Sequence, residues 1–234
     1  MRRAIHTGDA LLFERILKSH KQLLHNPDSS TQGISNSNLH LAASLGHKRI
    51  CETLLAAGHE TPNPALNEQH QTALMLAARA GHLEAVRVIA ENDYTCILRR
   101  DIRGRDAIME ASAGGHDKIL QFLLAYVPGG AYEAVQRADG EGNTALHFAS
   151  INGNLMGLRI LLVAGADAET TNAWNWTPAS YSASVQAEVY LKGLVVEMKN
   201  RKMLRQEIEG ARISMIKKVE SDDDDDDEDD DDDS

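Results

Sequence analysis

The feature that most limits what this chain can become is a mark that recurs along it. Five short segments carry a glycine followed mostly by histidine: Gly8-Asp9, Gly46-His47, Gly81-His82, Gly115-His116 and Gly153-Asn154. The gaps between these glycines are 38, 35, 34 and 38 residues. A second mark stands nine residues before four of them: Ser37-Asn-Leu-His40, Thr72-Ala-Leu-Met75, Asp106-Ala-Ile-Met109 and Thr144-Ala-Leu-His147. A fifth copy, Thr177-Pro-Ala-Ser180, follows Thr144 by 33 residues. A period of this size means one supersecondary unit repeated, each copy burying its apolar face against its neighbours.

Every marked residue has a mechanical use. Ser37, Thr72, Asp106, Thr144 and Thr177 stand where a side-chain oxygen caps the free amides at a helix start. Pro178 follows its cap at the one helical position where a missing N–H costs nothing. The pairs Ala42-Ala43, Ala77-Ala78, Ala111-Ser112 and Ala149-Ser150 are small enough for two helices to lie close together. The glycine then ends the first helix in a left-handed turn. A second helix follows with an apolar stripe, as in Ile50, Cys51, Leu54 and Leu55 or Leu158, Ile160, Leu161 and Leu162.

The combination resembles the ankyrin-repeat family, over roughly Arg2 to Lys199. The resemblance implies an all-α solenoid of about six helix-turn-helix units with short β-hairpin fingers. The units fall near 1–32, 33–66, 67–100, 101–138, 139–171 and 172–199. Inserts lengthen the connections at Asn26–Ser35 and Val127–Arg137, and the outer two units diverge. His40, His47, His82, His116 and His147 occupy the family's histidine positions, where they bond backbone and stitch neighbouring repeats. The basic stretch 200–220 continues a helix read over Leu191 to Val219, and 221–234 is an acidic tail expected to be disordered.

Charge divides the chain. The formal net charge is −11, and Asp222 to Asp233 are twelve consecutive carboxylates, so everything else sums to +1. Such a run repels itself and buries nothing. From Lys192 to Lys218 there are eight Lys/Arg against three Glu, a net of +5. The tail disfavours nucleic acid as a partner, and the longest apolar run, Ile160 to Ala166, is too short to span a bilayer.

Catalytic and metal chemistry find no foothold. Neither Cys51 nor Cys96 lies in a ligand spacing, and the two thiols suggest a reducing compartment without a disulfide framework. Cys51 sits on an apolar helix face; Cys96, in a connection, is expected to be the more exposed. The remaining histidines make no i, i+4 ligand pair, and the glycine-rich fragments lie in repeat turns rather than between strand and helix. The expectation is a non-enzyme with no cofactor and no metal.

Binding is expected instead on the concave face. The family's contact positions map onto Asn36, Gln69, Gln71, Arg103, Arg105, Glu141, Asn143, Trp174 and Trp176 in the fingers. On first helices they map onto Ser44, Leu45, Arg79, Ala80, Ile151 and Asn152. Arg79, Arg103 and Arg105 gather on adjacent units as a basic patch for an acidic partner. Trp174 and Trp176 alternate along one hairpin, which sends them to opposite faces, one packed on the stack and one an exposed anchor; alternatively both seal the last repeat. Ser221, followed by acidic residues, suits an acidophilic kinase.

Two segments narrow the resemblance. Arg2 to Lys18, and Asn175-Trp-Thr-Pro178 with Val189 to Lys199, are similar to the fungal ankyrin-repeat accessory subunit of target of rapamycin complex 2. This chain departs from it in its shortness and its acidic ending. The implied role is a scaffold of a signalling complex with kinase-complex subunits as partners, the chain monomeric on its own, cytoplasmic and brought to the plasma membrane through the complex. The alternative is a chaperone escorting a basic client such as a histone or ribosomal protein with the acidic tail, which leaves the nucleus open.

Overall fold

The computed structural model describes residues 1–25, 34–61 and 63–223. Among the described residues there are α-helices, short 3-10 turns and no strand, and the chain divides into two compact units, Met1–Lys192 and Gly193–Ser234. The first holds the helical hairpins α1 (Arg2–His6) with α2 (Ala10–Ser19), α3 (Asn38–Ser44) with α4 (Lys48–Ala56), and α5 (Ala73–Ala80) with α6 (Leu83–Asn92). It continues through α7 (Ala107–Gly114) with α8 (Asp117–Tyr126), the short α9 (Ala131–Val135), and α10 (Ala145–Ile151) with α11 (Leu155–Val163). First helices α1, α3, α5, α7 and α10 touch in succession to make one layer; second helices α2, α4, α6, α8 and α11 make the other.

The caps at Ser37, Thr72 and Asp106 act as the sequence requires, whereas Thr144 Oγ1 instead meets His147 Nδ1 at 3.0 Å and no helix begins at Thr177. Ser37 Oγ accepts from the His40 amide at 3.3 Å, Thr72 Oγ1 from Met75 at 3.3 Å, and the Asp106 carboxylate from Ile108 and Met109 at 3.1 Å. The small pairs are fully buried between the layers, each member of Ala42-Ala43, Ala77-Ala78, Ala111-Ser112 and Ala149-Ser150 showing 0% exposure. Two of the glycines show why no side chain fits there. Gly46 (φ +76°) and Gly81 (φ +86°) are left-handed, and a Cβ would fall 2.5 Å from His82 Nδ1 and 2.6 Å from His116 Cε1 respectively. Each ring lies over the previous unit's glycine and bonds its helix end: His82 Nε2 donates to the Ser44 carbonyl (3.1 Å) and His116 Nε2 to that of Arg79 (3.0 Å).

The other histidines bind forwards. His40 Nε2 donates to the Gln71 carbonyl at 2.8 Å and His147 Nε2 to that of Trp176 at 3.0 Å. A carbonyl only accepts, so Nε2 carries the proton and Nδ1 is free to accept from the Ser37 amide (3.3 Å) or the Thr144 amide (3.1 Å). Both rings are neutral, and burial pushes both below the ordinary histidine value.

The β-hairpin fingers are corrected to turns. Asn67, Asp101, Asp139 and Asn172 each begin a finger whose first amide donates to the carbonyl four residues on, at 3.2, 2.9, 2.9 and 3.1 Å. The same side chain's Oδ1 accepts from the amides two and four residues ahead, within 2.8–3.1 Å in all four fingers. The side chain thus replaces the second backbone partner, and only an isolated bridge, Ala138 with Thr144, survives of a ladder. Successive fingers are instead tied edge to edge: Ile102 N donates to Gln69 O, Gly140 N to Arg103 O and Ala173 N to Glu141 O, at 3.0, 2.8 and 2.8 Å.

The second insert is an ordered clamp. Its α9 brings Gln136 Nε2 to the Gly165 carbonyl (2.7 Å), while Arg137 donates to the Leu98 carbonyl (2.8 Å) and pairs with buried Asp106 (3.2 Å). The final unit lacks its first helix. Thr177–Tyr181 closes a single turn through Tyr181 N to Thr177 O (3.0 Å), in a stretch whose Ser and Tyr are weak helix formers. The helix α12 (Val185–Asp223) follows, starting six residues before the expected Leu191 because Ser184 Oγ accepts from the Ala187 amide at 3.2 Å. It also runs past the expected end at Val219, since extending an existing helix costs far less than starting one. In the second unit α12 exposes Val196, Met203, Leu204, Ile208, Ile213 and Met215. Of the stretch 221–234 expected to be disordered, 221–223 close α12, while 224–234 and the insert residues 26–33 lie outside the described residues. Among the described residues, no helix is long and apolar enough to cross a membrane.

Candidate protein-interaction surface

The fingers and first helices form one continuous face. The residue three before each cap stands at a fingertip, giving the row Gln69, Arg103, Glu141 and Trp174. The residue directly before the cap gives Asn36, Gln71, Arg105, Asn143 and Trp176. The residue four after the cap gives Leu41, Leu76, Glu110 and Phe148 on the helices and Tyr181 in the last unit's turn. Sequence reasoning missed the row that holds the fingers, Asn67, Asp101, Asp139 and Asn172. Its signal was present: an Asn or Asp five residues before every cap from Thr72 onward.

Several expected contact residues are withdrawn from this face. Gln71 and Asn143 are buried, 7% and 1% exposed. Gln71 Oε1 accepts from Asn67 Nδ2 at 3.2 Å, and Asn143 Oδ1 from Asn172 Nδ2 at 2.9 Å. Asn36, half-buried, accepts from Asn67 Nδ2 at 3.0 Å in the same manner. The Asn36 and Asn143 amides link finger to finger, a use that one unit alone cannot show, while that of Gln71 bonds within its own finger. Ser44 and Gln69 are half-buried, with the Ser44 hydroxyl donating to the Leu41 carbonyl at 3.0 Å. Leu45, Arg79, Ala80, Arg103, Glu141, Ile151, Asn152, Trp174 and Trp176 are exposed.

The basic patch is divided by its own counter-charges. Arg105 turns inward, its side chain 18% exposed, with Nε 3.5 Å from Asp139 and its guanidinium 4.6 Å over the Phe148 ring. It stands 3.9 Å from Glu110, and Arg79 stands 3.6 Å from the same carboxylate. Glu110 is the one charged residue in a row otherwise filled by Leu41, Leu76, Phe148 and Tyr181. Burial raises its carboxyl above the usual range, opposed by Arg79 and Arg105. None of these three ion pairs makes a hydrogen bond, so Glu110 Oε2 and Arg105 Nε are buried without a hydrogen-bond partner. Arg103 forms no ion pair among the described residues and is exposed.

The tryptophans do not part to opposite faces. Asn175 is left-handed (φ +58°), so the segment between them is a tight turn and strand alternation does not apply. The rings lie 6.3 Å apart, 50% and 48% exposed, and Trp176 also meets Tyr181 at 5.4 Å. They form one aromatic cluster at the C-terminal end of the face.

Cys96 is corrected as well. The 3-10 turn Tyr94–Leu98 folds it against α6 and α7 to 4% exposure, and burial pushes its thiol up to about 12, as it does that of Cys51. A thiol so protonated is a poor nucleophile at neutral pH. Among the described residues no group of three or more His, Cys, Asp or Glu could hold a metal. Ser221 falls in the last turn of α12, its side chain outside the described residues.

Family models describing ankyrin repeats match residues 3–101 and residues 129–182. The chain belongs to the ankyrin-repeat family. Ankyrin relatives include a probable E3 ubiquitin-protein ligase of rice, 34% identical over 58% of this chain and 32% of its own length. Another is the yeast target of rapamycin complex 2 subunit AVO2, 25% identical over 86% of this chain and 46% of its own. A third is mouse synphilin-1, 31% identical over 58% of this chain and 14% of its own. The chain therefore spans less than half the length of these relatives, and the activity in the rice protein's name is a property of that longer molecule.

Proposed function

We propose that this chain is a non-catalytic accessory or scaffold subunit of a signalling complex of the target of rapamycin complex 2 kind. The observation that carries the reading is extent: similarity to the yeast subunit covers 86% of this chain, against 58% for the rice ligase. The ankyrin module is taken as 1–199 in six units with divergent ends, followed by a basic helix and an acidic tail. Its partner, a kinase-complex subunit, lies along the fingers and first helices, with Trp174, Trp176 and Ile151 as apolar anchors and Gln69, Arg79, Arg103, Glu141 and Asn152 as polar contacts. Exposed aromatic rings at one end of a polar face suit this, because a few large anchors dominate interface energy. The complex would be cytoplasmic and reach the plasma membrane through its other subunits.

Affinity purification of the tagged full chain from a fungal host, read by mass spectrometry, tests the reading. Kinase-complex subunits should co-purify, and Trp174→Ala with Trp176→Ala should lower their recovery about tenfold, the cost of one anchor. Recovery of histones or ribosomal proteins, lost steeply with salt, would favour the chaperone reading instead. Recovery of ubiquitin-pathway proteins alone would point to the ligase relatives.

A further inference from the structure

Glu110 breaks the pattern of its own row. At the matching position the other repeats carry Leu41, Leu76, Phe148 and Tyr181, and an apolar residue there would spare the fold a buried charge. The carboxylate is nevertheless 2% exposed, with one oxygen lacking any hydrogen bond. A buried oxygen so left is costly to the fold. Its two guanidinium neighbours stand off at 3.6 and 3.9 Å rather than closing on it. Arg105 is held elsewhere, by Asp139 and the Phe148 ring. Arg79 is not: its side chain is 59% exposed and meets no other carboxylate among the described residues.

The surrounding charges are arranged by depth. Asp101 is buried, its Oδ1 occupied by the amides of Arg103 and Arg105. Asp139 is buried beneath Arg105. Glu110, Asp101 and Asp139 thus lie inside and the exposed Glu68 accepts from Ser35 Oγ at 2.7 Å, while the guanidiniums of Arg79 and Arg103 lie outside, so the groups a partner meets first around Glu110 are cationic. Glu141, exposed on the next fingertip, ends the positive region on its C-terminal side, and the aromatic cluster of Trp174 and Trp176 lies one finger further.

We infer that the middle of the ankyrin face receives an acidic segment of a partner protein, whose carboxylates engage Arg79 and Arg103, with Glu110 as the built-in counter-ion that the partner displaces from Arg79. The inference rests on the reading that this face binds a protein, and it adds the chemistry and direction of the bound segment. Glu110 keeps the empty surface near neutrality and lets Arg79 swing outward, so non-specific anions meet a partly satisfied guanidinium while a well-placed carboxylate gains a bidentate one. The acidic residues run over the fingers that begin at Asn67 and Asp101, away from Glu141, and the apolar residues run towards the tryptophans.

Selection of random twelve-residue peptides displayed on phage against the full chain tests this. The expected pool is enriched in Asp and Glu beside an apolar residue. Affinity of a selected peptide should fall about tenfold in Arg79→Gln and in Arg103→Gln, about 1.4 kcal/mol each. Glu110→Gln should raise it, because the competitor for Arg79 is gone. That sign separates a counter-ion from a residue that merely supports the fold, which would lower affinity on removal. A pool rich in Lys or Arg, or affinity lowered by Glu110→Gln with unfolding by urea unchanged, overturns the inference. So does a phosphoserine version of the peptide binding far tighter than the Glu version, which would assign the site to a phosphorylated partner. Peptides lost on Trp174→Ala yet indifferent to Arg79 and Arg103 would sink this inference and leave the interaction face standing; peptides indifferent to every one of these variants would sink both.

Discussion

The middle of the stack and its C-terminal end carry the same marks and use them differently. In the middle, Gly46 and Gly81 are each covered by the histidine of the following unit, which bonds back to the preceding helix end. At the end, Gly153 has nothing within 4 Å of where a Cβ would stand, the following unit has no first helix, and aromatic rings face outward. A repeat fixes its geometry only where it has a neighbour on both sides; at the last unit the same signals are left without a partner to enforce them. The freed end is where large side chains can be exposed without loosening the rest.

Core truncation should separate the two regions most widely. Leu74 and Leu191 are both fully buried. Leu74→Ala in α5 should cost about 2–5 kcal/mol of global stability in urea. Leu191→Ala should act locally, speeding amide exchange over Thr177–Lys192 while the central helices keep their protection. If both variants lower protection throughout the stack alike, the two regions form one cooperative unit and the contrast between them disappears.

The glycines give the next largest contrast. Gly153→Ala should cost only the left-handed strain, about 1–2 kcal/mol. Gly81→Ala bears the same strain and must also displace the His116 ring from its bond to Arg79, adding about 1 kcal/mol. Equal losses in urea denaturation would mean that the histidine clasp contributes nothing.

Acid should act through the two forward-bonding histidines. His40 and His147 are pushed below the ordinary value by burial, so the unfolded chain binds their protons first. Their stabilising contribution is complete above about pH 6.5 and is lost as pH falls below it. Asp106 and Glu110 have the opposite sign: burial raises both, so the folded state holds their protons more tightly and their burial weighs less on stability as pH falls towards the carboxylate range. Stability should therefore decline from pH 7 to pH 5.5, and His40→Gln should flatten that slope. An unchanged slope in the variant would place the acid sensitivity elsewhere. Smallest of all, Trp174→Ala should change stability by only about 0.5 kcal/mol, because its ring is half exposed; a larger loss by thermal melting would make the cluster a seal of the last repeat rather than an anchor.

The helical hairpins, their caps at Ser37, Thr72 and Asp106, and the left-handed glycines between them were legible in the order of residues alone. These features depend on residues within a few positions of one another, which any window of the chain contains. The same pattern marked the face on which Arg79, Arg103, Trp174 and Trp176 stand. Illegible there were the features settled across units: Asn36 and Asn143 drawn into links between fingers, Cys96 covered, Arg105 turned inward to Asp139, and Arg137 reaching 31 residues back to Asp106. The fingers became turns because Asn67, Asp101, Asp139 and Asn172 bond their own loop, and the tryptophans came together because Asn175 reverses the chain between them. The links between units wait on the assembled stack, because a buried polar group takes whichever partner packing brings within reach, and that partner stands one repeat away.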